Sequence, residues 1–469
     1  MLRTERSLPS SLFPLFLFSL SFYRDMMILS GKYDKKSQFI SIRRRFQQKE
    51  VGSMLCQFTV KNYRCIKNEA MLSLAAVESL SEHRDSLIVD GDGNSFLPLS
   101  VIYGPNGGGK STVLDALYSV CYKVINPVIV ATDDLRPQQS DSFSRFIIPY
   151  LFDKDTRNRP TDFSLVFRTA MYEYEYNLSV LNDVVVSESL YHKSIRHGRY
   201  TKVFSREGVK NFSLIQPLKK LLGKEEKFTI SPKLPLLSYF GIVNSRNDII
   251  QDVISWFKEK ILFLDYKDSF QEHFMNLPEN GEMKNSILHF LDAMDTNITD
   301  YRLEEIDNSS TDQKRFRIFT KHLVKRKSYE LELHQESSGT IKIFNSLPFI
   351  ISSLLHGAAL VVDELDAKLH PALLQYMIGL YADPGINKNG AQLIFTSQNV
   401  MTMNSQNFRR DEIWFAAKNG DEEGQMYSLS DFRGENGGKP RKDASYSKQY
   451  MEGRYGADPF FKKMEGWVN

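Results

Sequence analysis

Nine residues, Gly104-Pro105-Asn106-Gly107-Gly108-Gly109-Lys110-Ser111-Thr112, constrain this chain more than any other stretch. They fit G-x-x-x-x-G-K-[ST], the phosphate-cradling P-loop. Glycines let the backbone turn tightly and aim several N–H groups into one concavity, which binds anions. Lys110 adds a point charge for the outer phosphates of a nucleotide, and the Ser111 hydroxyl is suited to ligating Mg²⁺. The flanks agree with this reading. Leu97 to Tyr103 reads as a buried strand entering the loop. Thr112 to Val120 reads as a helix leaving it, its N-terminus toward the phosphates.

A second half of such a site lies far downstream. Ala358 to Glu364 is an apolar strand ending in two carboxylates, as a Walker B element requires. Asp363 would hold Mg²⁺ through water, and Glu364 would orient or deprotonate the attacking water. Glu336-Ser337-Ser338-Gly339-Thr340 precedes a helix predicted over Ile341 to Leu355. A Ser/Gly-rich helix start is a second anion site, and equally an ordinary helix cap.

Charge argues against a nucleic-acid-coating body. The chain of 469 residues carries a net charge of +3, but residues 1–53 hold ten Lys/Arg against four Asp/Glu. The remaining 416 residues hold 50 against 53 and are slightly acidic. Nucleic acid would therefore have to meet a local patch, and Lys439-Pro440-Arg441-Lys442 with Lys448 and Arg454 offers one. Cys56, Cys65 and Cys121 have neither metal spacing nor a disulfide framework, which fits a reducing, cytoplasmic setting.

Within residues 1–53, Ser11 to Tyr23 is an apolar run too short for a comfortable membrane span. Three readings stand: a membrane anchor, a disordered arm, or an extension ahead of a true start at Met54. The last is favoured, because a clean alternating strand begins at Met54.

From there Leu55–Val60 and Ala70–Ala75 predict strands, with Asn62-Tyr63-Arg64-Cys65-Ile66 as the loop between them. Arg64 reaches back to a nucleotide or stays a solvated surface residue. Asp133–Arg145 is a polar loop holding Gln138 and Gln139, either of which is a candidate γ-phosphate sensor. Phe146–Phe152, Phe163–Phe167, Tyr172–Tyr176 and Val184–Tyr191 predict an antiparallel meander. Tyr172, Tyr174 and Tyr176 share one face, more suited to cross-strand packing than to base stacking. Residues 206–330 read as mostly helical, with helices over Asn247–Leu264 and Ile287–Met294. Tyr301–Ile306, Phe316–Phe319 and Tyr329–Leu333 return to strand character, and no sustained heptads appear.

Placed ahead of Walker B, Glu336–Thr340 resembles the Leu-Ser-Gly-Gly-Gln signature of ABC-type ATPases at Ser337 and Gly339. Leu365-Asp366-Ala367-Lys368-Leu369-His370-Pro371 resembles the D-loop of the Rad50, SMC and OLD branches. Ala391 to Gln398 resembles the next core strand, with Gln398 where the family places a switch histidine. Glutamine donates a hydrogen bond but carries no proton, so the resemblance implies nucleotide binding with slow hydrolysis. It implies an α/β fold: a P-loop NTPase with an ABC-type ATPase head, a β-rich N-terminal part and a mixed β/helical insertion. Residues 54–145 would form the N-terminal half of the head, 146–330 the insertion, and 331–469 the C-terminal half. ATP and Mg²⁺ are the implied cofactors. Glu364, Lys110 and Gln398 would act at the reacting phosphate, while Ser337, Ser338, Gly339 and Asp366 would act in trans.

The tail, from Arg409-Arg410-Asp411-Glu412-Ile413-Trp414-Phe415 to Tyr455-Gly456-Ala457-Asp458-Pro459, resembles stand-alone ATPases of prokaryotic anti-phage defence loci. That resemblance implies a homodimer or higher homo-oligomer closed by ATP. It also implies a neighbouring effector of RloB-like, TOPRIM or HNH type, and no membrane. About a hundred residues follow Walker B, which leaves no room for a nuclease domain of its own. Two readings stay open: an ATP-switched sensor or scaffold controlling an effector, and a DNA-repair-type ATPase clamping nucleic acid. A transporter ATPase suits neither the insertion nor the tail.

Overall fold

The computed structural model describes residues 52–127, 130, 146–195, 198–222, 228–243, 247–264, 281–294, 296–306, 315–433 and 438–457. Residues 1–51 and the loop holding Gln138 and Gln139 lie outside the described residues.

The chain opens with the strands β1 (Met54–Tyr63) and β2 (Ile66–Ser73), joined by a tight turn at Arg64-Cys65. The short strands β3 (Ile88–Val89) and β4 (Ser95–Phe96) lead to β5 (Leu99–Tyr103) and helix α1 (Lys110–Ile125). A meander follows: β6 (Thr161–Arg168), β7 (Tyr172–Leu181), β8 (Val184–Ser194), β9 (Thr201–Glu207) and β10 (Asn211–Leu214). Next come α2 (Gln216–Leu222), α3 (Leu236–Ile242), α4 (Asp248–Glu259), β11 (Ile261–Leu264) and α5 (Glu282–Ala293). Three strands follow: β12 (Ile298–Ile306), β13 (Arg315–Val324) and β14 (Lys327–Glu332). The last elements are α6 (Ser338–His356), β15 (Ala359–Val362), α7 (Pro371–Ala382), β16 (Gln392–Thr396), β17 (Ile413–Lys418), β18 (Gly424–Ser428) and α8 (Tyr446–Met451).

Two large sheets result. The strand order β11-β15-β16-β5-β17-β18 makes one sheet, parallel except for β18. The order β10-β9-β8-β7-β6-β1-β2 makes the other, antiparallel throughout. The predicted meander is present, and through β6 it extends the β1–β2 hairpin. Parallel strands buried on both faces explain their unbroken apolar runs. Ile102, Val361 and Ile394 face α1, α4 and the antiparallel sheet. Val101, Leu360, Val362 and Phe395 face α5, α6 and α7. Gln392 ties the layers together: its amide accepts from Leu55 N at 2.8 Å and donates to Leu55 O and Leu97 O, each at 3.1 Å.

Some predicted elements differ. The helix expected to run to Leu264 stops at Glu259, and Ile261–Leu264 pairs in parallel with Ala359–Val362. Apolar spacing carries through this boundary, because the strand too is buried, so periodicity alone does not mark it. Phe146–Phe152 forms no strand: its backbone is spent on Arg64 N, which donates to Ile148 O, and on the Asn62 side chain, which accepts from Tyr150 N. The second strand spans Ile66–Ser73 rather than Ala70–Ala75. The tyrosines of β7 are packed inward: Tyr174 stacks on Phe167 and donates to Asp252, and Tyr176 packs against Phe257. Among the described residues one helix, α6, is long and apolar enough to cross a membrane. Here its Ile343, Phe344, Leu347, Ile350 and Ile351 are core.

Candidate nucleotide site

The P-loop, Asp363-Glu364 and Gln398 follow the carboxyl ends of β5, β15 and β16, where open α/β sheets bind ligands. The P-loop leaves β5 and lies over β17. A Cβ on Gly104, whose φ is +156°, would meet the Ala416 carbonyl oxygen at 2.0 Å, and one on Gly108 would meet it at 2.8 Å. Only glycine lets the two backbones approach so closely. Helix α1 starts at Lys110, two residues earlier than predicted, with Gly109 as its left-handed cap.

Lys110 is buried and its amine donates to Gly104 O at 2.9 Å and Pro105 O at 3.0 Å. Burial lowers its pKa from the ordinary lysine value. The Ser111 hydroxyl donates to Asp363 Oδ1 at 3.0 Å, and Thr396 Oγ1 donates to the same oxygen at 2.6 Å. This is a hard-oxygen pair beside an anion cradle. It fits Mg²⁺, which takes few protein ligands and completes its shell with water and phosphate oxygens. Among the described residues no cluster of three or more His, Cys, Asp or Glu forms an all-protein metal cage.

Glu364 follows Asp363 in a left-handed backbone conformation, φ 51°. Its N–H donates to Thr396 Oγ1 at 2.7 Å, and its carbonyl accepts from the buried Lys342 amine at 2.7 Å and from Ala367 N at 3.1 Å. Gln398 Nε2 donates to Glu364 Oε1 at 3.3 Å, and Gln398 N donates to Asp366 Oδ2 at 3.0 Å. The Asp366 carboxylate thus holds the Gln398 backbone of its own chain.

Arg64 sits in the β1–β2 turn and its guanidinium pairs with Asp115 of α1. The next residue, Cys65, places its Sγ 3.4 Å from Thr112 Oγ1. The turn is therefore packed against the first turns of the P-loop helix. Ser337 caps α6, which begins at Ser338 rather than Ile341, and its Oγ accepts from Thr340 N at 3.1 Å. A Cβ on Gly339 would lie 3.2 Å from Lys368 O, so the start of α6 stands against the 365–371 segment of its own chain. No hydrogen bond among the described residues joins Ser337, Ser338 or Gly339 to Gly104–Thr112.

Sequence reasoning missed Lys342 and Thr396. Lys342 had a signal: it is a lone cation on the apolar side of α6. Thr396 had none beyond its place in a core strand.

Sheet order, glycine loop and paired acids together define a P-loop ATPase with an ABC-type head. The family model described as "AAA domain, putative AbiEii toxin, Type IV TA system" matches residues 99–404, and the chain belongs to that family. A search of the curated proteins finds no match. Among solved structures the chain is similar to the SMC head domain from Thermotoga maritima, with 10% identity, 80% of this chain and 98% of that chain covered, and a TM-score of 0.37. It is similar to the Smc head domain with an extended coiled coil bound to the C-terminal domain of ScpA, derived from Pyrococcus furiosus, at 12% identity, 80% and 96% coverage and a TM-score of 0.39. It is also similar to the recombination mediator protein RecF of the RecFOR pathway, at 12% identity, 80% and 98% coverage and a TM-score of 0.31.

Proposed function

We propose that this chain binds and slowly hydrolyses ATP, and that two copies sandwich two ATP molecules. Its ATP state holds or releases an effector encoded alongside it, in anti-phage defence in the cytoplasm. The observation that carries this reading is the division of the site. Lys110, Ser111, Asp363 and Glu364 gather around one loop, while Ser337 and Gly339 make no hydrogen bond to it. A Ser337–Gly339 segment that makes no hydrogen bond to the P-loop of its own chain is available to a second chain.

In this scheme the P-loop N–H groups and Lys110 bind the phosphates, and Ser111 and Asp363 would hold Mg²⁺. The metal, when bound, neutralises charge developing on the phosphate oxygens. Glu364 orients or deprotonates the attacking water, and Gln398 fixes the Glu364 carboxylate by a hydrogen bond. Because Gln398 relays no proton, turnover is slow and the ATP-held assembly long-lived. The effector is of RloB-like, TOPRIM or HNH type and supplies the cleavage chemistry.

The test is ATP turnover of the purified protein beside Glu364→Gln, with mass in solution measured in parallel. The expected result is turnover lost in Glu364→Gln while ATP still holds a dimer or larger assembly. A monomer with ATP bound, or undiminished turnover in Glu364→Gln, would refute the proposal.

A further inference from the structure

The three-stranded sheet β12-β13-β14 stands outside the two large sheets, and its outer hairpin is chemically unlike the rest of the body. Between Asp312 and Glu330 the sequence holds seven Lys/Arg and no Asp/Glu, in a body that is otherwise slightly acidic. β13 and β14 pair down to Val324 opposite Lys327, so the turn is only Lys325-Arg326. Both turn residues have positive φ, 49° and 64°. Two-residue hairpin turns of this hand favour Asn-Gly. The chain instead places two long cations there, followed by Lys327.

Lower on the sheet, three cations among the described side chains are matched. Arg302 pairs with Glu304 and Glu330, Lys321 with Asp300, and Arg317 with Glu332. At the tip, Lys325, Arg326 and Lys327 are exposed, and among the described residues none of them forms an ion pair. The unpaired positive charge is thus concentrated at the hairpin tip, where the pairs Leu323↔Ser328 and Val324↔Lys327 and the turn project beyond β12. A narrow cationic tip of that kind can enter a groove of a duplex, where its cations meet phosphates on either side. A membrane surface suits the tip less well. Val324, Tyr329 and Leu331 are the exposed apolar side chains on one face, a stripe shared with His322 and Lys327, and Leu323 is on the other, so the apolar surface is a narrow stripe rather than a broad face.

We propose that the β13–β14 hairpin is a duplex-DNA-binding arm, with Lys325, Arg326 and Lys327 on the phosphates, and that DNA is the ligand this ATPase senses. A physical route to the ATP site exists. Thr320 and His322 of the same strand both hydrogen-bond the Glu336 carboxylate, His322 Nε2 at 2.7 Å from Glu336 Oε1. Glu336 immediately precedes Ser337, the cap of α6. A shift of β13 therefore moves the signature directly. This coupling rests on the ATPase reading above, whereas DNA binding itself does not.

The test uses the full chain and a variant carrying Lys325→Asn, Arg326→Gly and Lys327→Ser. The new turn is the favoured Asn-Gly, so the fold is retained or stabilised while three charges are lost. Binding to a labelled 30-base-pair duplex is read without nucleotide over a salt series, with anionic vesicles as a second probe. The expected result is at least a tenfold loss of DNA affinity at low salt. The slope of log affinity against log salt should also fall by about 2 to 3. Basal ATP turnover and melting temperature should be no lower than those of the wild type. Glu336→Gln should keep DNA affinity and lose any effect of DNA on turnover. Equal affinity and slope in wild type and variant, no DNA binding by the wild type, or hairpin-dependent binding to vesicles alone would each overturn the proposal. Because affinity is measured without ATP, failure here is distinguishable from failure of the Glu364→Gln test.

Discussion

Replacing Lys342 by Met should separate stability from turnover. Lys342 is 6% exposed, and its amine donates to the Glu364 carbonyl at 2.7 Å. Burial pushes its pKa down from 10.5 to about 8, against the opposing pull of Asp366, Glu364 and Asp363. Between about 8 and 10.5 the unfolded chain holds a proton that the folded chain lacks, so stability rises with pH across that window. At neutral pH, keeping the amine charged costs about 3 kcal/mol. Met has similar length and no charge, so it removes this cost. It also removes one hydrogen bond from a charged donor, worth about 1.5 kcal/mol at the low end, because the Glu364 carbonyl keeps Ala367 N. The variant should therefore be about 1–2 kcal/mol more stable at pH 7, an advantage that disappears toward pH 10. Turnover should fall about 10- to 100-fold, because Glu364 loses a contact that fixes its left-handed backbone. Melting curves from pH 7 to 10, beside an ATP turnover assay, test both arms. Strong destabilisation at pH 7, or turnover equal to wild type, would refute the reasoning.

Gly104→Ala should abolish nucleotide binding and destabilise by about 3 kcal/mol, since its Cβ would meet Ala416 O at 2.0 Å. Gly107→Ala meets nothing within 4 Å and should cost only the strain of its +77° φ, about 1–2 kcal/mol. Nucleotide titration and melting of the pair check this, and equal losses would contradict it. Glu412 is buried, accepts from Arg409 N at 2.8 Å, and burial pushes its pKa up from 4.5 to about 8. Folding therefore takes up a proton between those values, and stability is lost as pH rises through that window. Glu412→Gln keeps an acceptor without a charge, so its melting temperature should fall less than the wild type's between pH 5 and 8. Parallel curves would contradict the assignment.

What was legible in the sequence was chemistry carried by short, fixed spacing. Gly104–Thr112 and Asp363-Glu364 are recognisable because a phosphate cradle and an acid-tipped strand each need particular residues a few positions apart. Where the reading stopped, the deciding contact lay far away in the chain. Ile261–Leu264 becomes a strand only because Ala359–Val362 pairs with it, nearly a hundred residues later. Lys342 acquires meaning only when α6 brings it to Glu364, and Gln392 only when β1 brings Leu55 to it. Gln398 marks the boundary between the two cases. Its position just after a core strand was legible, yet its bonds to Glu364 and, through its backbone, to Asp366 were not. Those bonds bear on function. A residue that is tied to the carboxylate of its own chain must release or keep that carboxylate when nucleotide arrives. Gln398→His should therefore raise ATP turnover, because the proposed slow rate comes from a glutamine that relays no proton. Turnover equal to or below that of the wild type would contradict that cause and leave the tie to Glu364 as the more important part.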